Sequence, residues 1–302
     1  GSIIRLCCAH SLMNNTLLYI VTVLIWGSTW LAIEYQLGVV EPEVSIAYRY
    51  ILAAGVLLVW CKIKRIPLLF EMKYHLWFAA LGLLLFCLNY VFAYRAQEYI
   101  TSAMAAILFS TMVWMNILLA RLVLGVRTTR RALVGASLGI IGIVVLFAPR
   151  IESVALDDEI LLGCAIGLAG AFVASCGNIV SQLAQNRSLP VVAANTWGMF
   201  YGALLTTLIA LVSGHEFNFD ARFTYISSLV YLSVFGSVIA FGAYLTLLGR
   251  IGAHKAGYAT VMFPVVALVL SILFEGLRLD AAILAGMFLV LLGNTLVLNR
   301  RA

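Results

Sequence analysis

The sequence predicts an all-α integral membrane protein of ten transmembrane helices, laid out as two inverted five-helix repeats. Three observations carry this. First, 64% of the 302 residues are hydrophobic and only 11% are charged, against about 45–50% and about 25% in an ordinary soluble domain. No soluble core could hide that much apolar surface, so lipid must be the solvent for most of it. Second, apolar runs of membrane length recur along the whole chain; a helix needs roughly 20 residues to cross about 30 Å of hydrocarbon. Third, the second half echoes the first at a constant offset of 151 residues. Gly125, Arg127, Gly135 and Gly142 fall on Gly276, Arg278, Gly286 and Gly293, while Tyr90, Ile100 and Ala105 fall on Phe241, Ile251 and Ala256.

The runs lie at residues 15–35, 43–62, 74–94, 99–120 and 129–148, then at 159–181, 190–213, 225–247, 254–275 and 280–299. They divide the chain into an N-terminal segment (1–13), a first repeat (14–150) and a second repeat (151–302). The first run carries Trp26 and Trp30 four residues apart, hence on one helix face. The second follows Pro42 and holds Arg49 about two turns in. The third contains Asn89, Tyr90 and Tyr94, and the fourth contains Ser110, Thr111, Trp114 and Asn116. The fifth and sixth are glycine-rich, with Gly135/Gly139 and Gly163/Gly167 at the spacing that lets helices pack closely. Asn178 and Ser175 sit in the sixth and Tyr244 in the eighth. The ninth holds Tyr258 and Thr260 and is interrupted by Pro264, which removes a backbone hydrogen bond. The tenth is again glycine-rich.

Lys and Arg set the orientation. One side holds Arg5, Lys62, Lys64, Arg65, Lys73, Arg127, Arg130, Arg131, Arg187, Arg250, Lys255, Arg300 and Arg301; the other holds only Arg95, Arg150, Arg222 and Arg278. Both termini are therefore expected in the cytoplasm. An odd number of spans per half makes the second copy enter the bilayer from the opposite side. Inverted repeats of this kind characterise alternating-access transporters, whose substrate site lies near the midplane between the halves.

Several classes are disfavoured. The formal charge of +6 comes from basic residues in short loops, without the aromatic-interleaved patch of a nucleic-acid binder. Cys61, Cys87, Cys164 and Cys176 read as small packing residues, with no metal-ligand spacing; vicinal Cys7 and Cys8 could be acylated in a eukaryotic host. Gly1 and Ser2 resemble a cloning remnant, and no cleavable signal is evident. No phosphate loop, HExxH or GxSxG motif is present, so no enzyme, cofactor or metal is expected. Asp157, Asp158 and Glu159 read as a solvated turn.

Polar groups in hydrocarbon are costly and should face the bundle interior. Glu34 and Arg49 have similar depths and are expected to pair or to share a water-filled vestibule, either as a static lock between two helices or as gating or substrate-contacting groups. Asn89, Asn116 and Asn178 suggest a polar cavity, because an amide cannot satisfy itself on its own helix as a hydroxyl can. Trp26, Trp30, Trp114, Tyr90, Tyr244 and Tyr258 are candidates for an amphipathic wall around a small organic solute, with packing or an interfacial belt as the alternative. The bend at Pro264 suits either a substrate pathway or a purely structural kink.

WGSTWLAIEY at Trp26–Tyr35, Pro42 followed by AYRYILAAG, Pro264, the segment FEGLRLD with Glu275, and the glycines Gly286 and Gly293 together resemble the drug/metabolite transporter superfamily, specifically its EamA-type members. Arg49 falls at that family's usual arginine. Three positions depart: Glu34 stands where the family often has a basic residue, and Val113 and Leu124 stand where it often has proline and glutamate. The resemblance implies a bundle with a central cavity that opens alternately to either side. It also implies a substrate among the metabolites this superfamily moves. Amino-acid export fits an amide-and-aromatic cavity best. Exchange of sugar phosphates or nucleotide sugars is the alternative, and a membrane transferase a remoter one. Glu34 and Glu275 are the candidates for proton coupling, and a bacterial inner membrane is the expected location.

Overall fold

In a computed structural model of the chain, residues 14–151, 158–274 and 281–298 are described. They are helical apart from the connecting stretches, and no strand occurs among the described residues. The order is α1 (Asn15–Glu34), α2 (Pro42–Lys64), α3 (Met72–Gln97), α4 (Ser102–Ser110, then Met112–Leu124) and α5 (Arg130–Ile151). It continues with α6 (Asp158–Asn186), α7 (Val191–Val212), α8 (Phe223–Ile251), α9 (Ala253–Ala256, Gly257–Met262 and Phe263–Phe274) and α10 (Ala281–Leu298). Eight of these stretches, α1 to α4 and α6 to α9, are long and apolar enough to cross a membrane by length and composition.

The ends follow the local chemistry. Asn14 caps α1, its side-chain oxygen accepting from the Thr16 N–H; Thr101 caps α4 in the same way through the Met104 N–H. Pro42 opens α2, where a missing N–H costs nothing. Gly125 ends α4 in the left-handed region with φ of 67°, a conformation that glycine adopts without strain.

Two irregularities recur at equivalent places. The middle of α3 is π-helical over Gly82–Leu88, and the middle of α8 is π-helical over Leu232–Ile239, nearly the same segments under the 151-residue offset. α4 breaks at Thr111, and α9 changes from a 3-10 turn to α-helix between Met262 and Phe263. Pro264 sits just inside the new helix, where its lost N–H does least harm. In α4 the break forms without proline. There the Ser110 and Thr111 hydroxyls donate to the Ile107 and Leu108 carbonyls at 2.5 Å each, a contact that competes with the helix ladder.

Packing follows the same duplication. α1 lies against α8 and α9, and α6 against α3 and α4; α2 packs on α7 and α5 on α10. The α5–α10 contact is backbone on backbone. A Cβ on Gly142 would lie 2.8 Å from the Gly286 carbonyl oxygen, and one on Gly293 would lie 2.5 Å from that of Gly135. As the number rises along α5 it falls along α10, so the two helices run antiparallel.

Candidate functional site

α1 places its apolar aromatic face inward. Trp26, Thr29, Trp30 and Ile33 recur at helical spacing and are buried. Together with residues from α3, α4, α6, α8 and α9 they line a cavity of about 60 Å³. That volume holds roughly four water molecules at ~15 Å³ each, so a metabolite can bind only if the wall moves outward. The wall is largely aromatic. Trp26 meets Phe241, Tyr244 and Phe263 with ring centroids at 4.7, 4.9 and 5.8 Å, and Trp30 meets Phe109 at 4.9 Å.

A few polar groups interrupt the aromatic wall. The Trp26 indole N–H donates to the Gly236 carbonyl at 2.9 Å, tying α1 to α8. The Asn178 amide donates to the Tyr244 hydroxyl at 3.0 Å and to Asn116 Oδ1 at 3.2 Å, joining α6, α8 and α4. The Asn89 amide donates to the Leu85 carbonyl of its own helix at 3.3 Å. Two wall residues keep a buried polar atom without a partner: Trp30 Nε1, a donor, and Asn89 Oδ1, an acceptor.

The expected wall residues therefore separate. Trp26, Trp30, Asn89, Tyr90, Asn178 and Tyr244 line the cavity. Asn116 lies behind Asn178, and Tyr258 is engaged elsewhere, its hydroxyl donating to the Ala132 carbonyl of α5. Trp114 departs from the expected wall: it is 37% exposed and lies outside the cavity lining. Phe109, Phe241, Phe263, Thr29 and Thr260 join them, with Ile33, Leu85, Ala93, Met112 and Ala174 completing the wall. The ninth-span bend does reach the site, since Thr260 and Phe263 flank the transition beside buried Pro264.

The expected pairing of Glu34 with Arg49 is corrected. Glu34 ends α1 on its exposed face, one position round the helix from buried Ile33. Arg49 is completely buried. Its Nε donates to Ser237 Oγ at 2.9 Å, and its guanidinium lies 4.3 Å from the Tyr90 ring centroid and 5.4 Å from that of Tyr50. Similar depth along two helices did not bring the residues together, because they occupy different faces. Glu275 lies outside the described residues, as do Cys7, Cys8 and Asp157.

A second polar node stands at the end of the bundle where α1 finishes. Arg95 donates to Glu43 at 2.6 and 3.0 Å, to Glu98 at 3.1 Å and to Glu41 at 3.2 Å. His215, from the α7–α8 connection, approaches Glu43 at 3.6 Å. Glu41, Glu43 and His215 lie close enough together to hold a cation, but the Arg95 guanidinium already bonds to both carboxylates. The node therefore behaves as an ion-pair cluster between helix ends.

The comparisons with known proteins agree with this architecture. The profile of the EamA-like transporter family matches residues 14–148 and 161–299. A "Probable amino-acid metabolite efflux pump" of Salmonella typhimurium is 24% identical over 284 residues, covering 91% of this chain and 92% of that protein. Its namesake in Escherichia coli is 24% identical over 290 residues, with 93% of each chain covered. A Bacillus subtilis protein described as "Uncharacterized transporter YoaV" is 26% identical over 96% of this chain and 99% of its own length. One solved crystal structure superposes with a TM-score of 0.77 at 18% identity, covering 94% of this chain and 96% of that one, which speaks for the fold alone. With both halves matched by one family profile, this multi-pass membrane protein belongs to the EamA-like transporter family.

Proposed function

We propose that the protein is a secondary transporter that exports small metabolites, foremost amino acids, by alternating access through the central cavity. In this reading ten transmembrane helices form two inverted five-helix repeats, residues 14–150 and 151–302, with both termini in the cytoplasm. The observation that carries it is the composition of the cavity wall. Four pairs of lining residues differ by the repeat offset: Tyr90 and Phe241, Ala93 and Tyr244, Phe109 and Thr260, Met112 and Phe263. A site built from equivalent positions of two halves lies where a pseudo-twofold axis would pass, and the antiparallel α5–α10 contact supports the same axis. Movement of one half against the other would then open the cavity to either side in turn.

The wall chemistry supports a zwitterion. Aromatic faces suit an apolar body, while Trp30 Nε1 offers a donor and Asn89 Oδ1 an acceptor without present partners. Among the described residues no Lys or Arg lines the cavity, so the cluster of basic side chains that would suit a multiply charged phosphate is not part of its wall. No Asp or Glu among them does so either; Glu34 and Glu275 remain the candidates for proton coupling. The names of the Salmonella and Escherichia relatives point to the same class of cargo.

The test is flux of radiolabelled amino acids in proteoliposomes, with and without a pH gradient. Saturable flux that accelerates when unlabelled substrate is present on the far side supports the reading. Flux that grows linearly with concentration, or none for any amino acid, contradicts it.

A further inference from the structure

We propose that Arg49 is the receptor for a carboxylate of the transported solute, reached from the cavity across the bare face of Gly236. This rests on the transporter reading above and names the group its cargo must carry. Among the described residues Arg49 is the one Lys or Arg that is fully buried, at 0% exposure. No carboxylate of those residues lies within 4.0 Å of it. A buried charge without a counter-ion is expensive. The tyrosine faces of Tyr50 and Tyr90 offset part of that cost through cation–π attraction. Ser237 satisfies Nε, yet Nη1 and Nη2 have no hydrogen-bond partner. The Tyr94 hydroxyl is close by and donates to Gln36 Oε1 at 2.7 Å; its oxygen could also accept, but it makes no hydrogen bond to either Nη in this structure. What remains is half of a planar fork, the arrangement that takes a carboxylate bidentately.

The route to the cavity is set by Gly236. A Cβ there would lie 3.3 Å from Arg49 Nη2 and 3.0 Å from the Thr29 methyl, and Thr29 lines the cavity. The guanidinium and the Thr29 methyl of the cavity wall thus both abut the same glycine, with Leu232 Cδ2 next at 3.6 Å from the Cβ position, so space there opens only when the wall moves. Gly236 lies in the π-helical turn of α8, where the Ser237 hydroxyl follows the widened register by donating to Leu232 O, five residues back. That turn fixes two groups at once: the Gly236 carbonyl on Trp26 and the Ser237 oxygen on Arg49. π-helical turns recur at functional sites for this capacity to reposition groups. When the wall moves outward, a solute carboxylate can occupy the Gly236 gap and meet Nη1 and Nη2, while its apolar body stays among the aromatic rings.

The test is calorimetric binding to the purified full-length protein. The twenty standard L-amino acids are titrated, and each one that binds is compared with its carboxamide, which keeps shape and ammonium but loses the charge. The expected result is at least roughly tenfold weaker binding of the carboxamide to the wild type, the discrimination of a site built around the missing group. Arg49→Gln brings the ratio close to one, Arg49→Lys keeps part of it, and Gly236→Ala weakens the acid more than the carboxamide. Equal binding of acid and carboxamide to the wild type overturns the proposal and leaves the transporter reading standing. So does an undiminished preference in Arg49→Gln or in Gly236→Ala. If Arg49→Gln does not fold, the wild-type and Gly236→Ala comparisons decide. Absence of any binding amino acid removes the amino-acid reading and this proposal together.

Discussion

Trp26 holds packing and site geometry together in one side chain. Its ring is the hub of the aromatic wall, and its N–H fixes the π-helical turn of α8 through Gly236. Trp26→Phe keeps most of the apolar contact but leaves that carbonyl without its donor. The expected stability loss in detergent unfolding is about 0.5–2 kcal/mol, with substrate affinity falling roughly tenfold, or about 1.4 kcal/mol. Asn178 is tied on two sides, so Asn178→Leu strands both Asn116 and Tyr244 and costs about 1–3 kcal/mol of stability. At this scale the sequence was partly legible. The cost of amides and indoles in hydrocarbon pointed to Trp26, Trp30, Asn89 and Asn178. Phe109, Phe241 and Phe263 could not be told from exposed Phe200 and Phe288, because a phenyl ring is as well solvated by lipid as by a cavity wall. Glu34 was misplaced for another reason: hydropathy fixes how deep a residue lies but not which face of the helix it occupies.

Helix spans were the most legible level, since each window in the sequence coincides with a helix to within a few residues at most ends. The π-helical segments were not legible, because their register depends on neighbours rather than on local propensity. Gly82 illustrates this: a Cβ there would lie 2.8 Å from the Gly198 carbonyl oxygen of α7, so the turn is shaped by the helix beside it. The bend in α9 was visible as Pro264, whereas its counterpart at Thr111 has no such marker. Because α4 bends without proline, Pro264→Ala is expected to retain the bend and change transport by less than about threefold, under roughly 1 kcal/mol in barrier. The helix pairs are less forgiving. Gly142→Val drives a side chain into the α10 backbone and should cost about 1–3 kcal/mol. Arg95→Leu leaves Glu43, whose side chain is 6% exposed, without its cation; a loss of about 3 kcal/mol is expected, read from chemical unfolding in micelles.

In the proposed reading the whole molecule gains its function where the two halves meet. α1 reaches across to α8 and α9 while α6 reaches back to α3 and α4, so every wall of the cavity is shared between the two matched segments. The 151-residue echo is the sequence feature on which the proposed two-repeat arrangement rests, more specific than any single motif. The size of the cavity was beyond the sequence, since it depends on how far the two halves are closed. A cavity of about 60 Å³ has meaning for transport only if it opens in turn to each side.

Side-specific labelling tests that most directly. Ala93→Cys and Ala174→Cys each place a thiol in the lining on a background with the native cysteines replaced. An impermeant maleimide is then applied from one side of the membrane or the other. Alternating access predicts that each thiol reacts from both sides, and that a bound substrate slows both reactions. A thiol reactive from one side only, or from neither under any condition, contradicts the account.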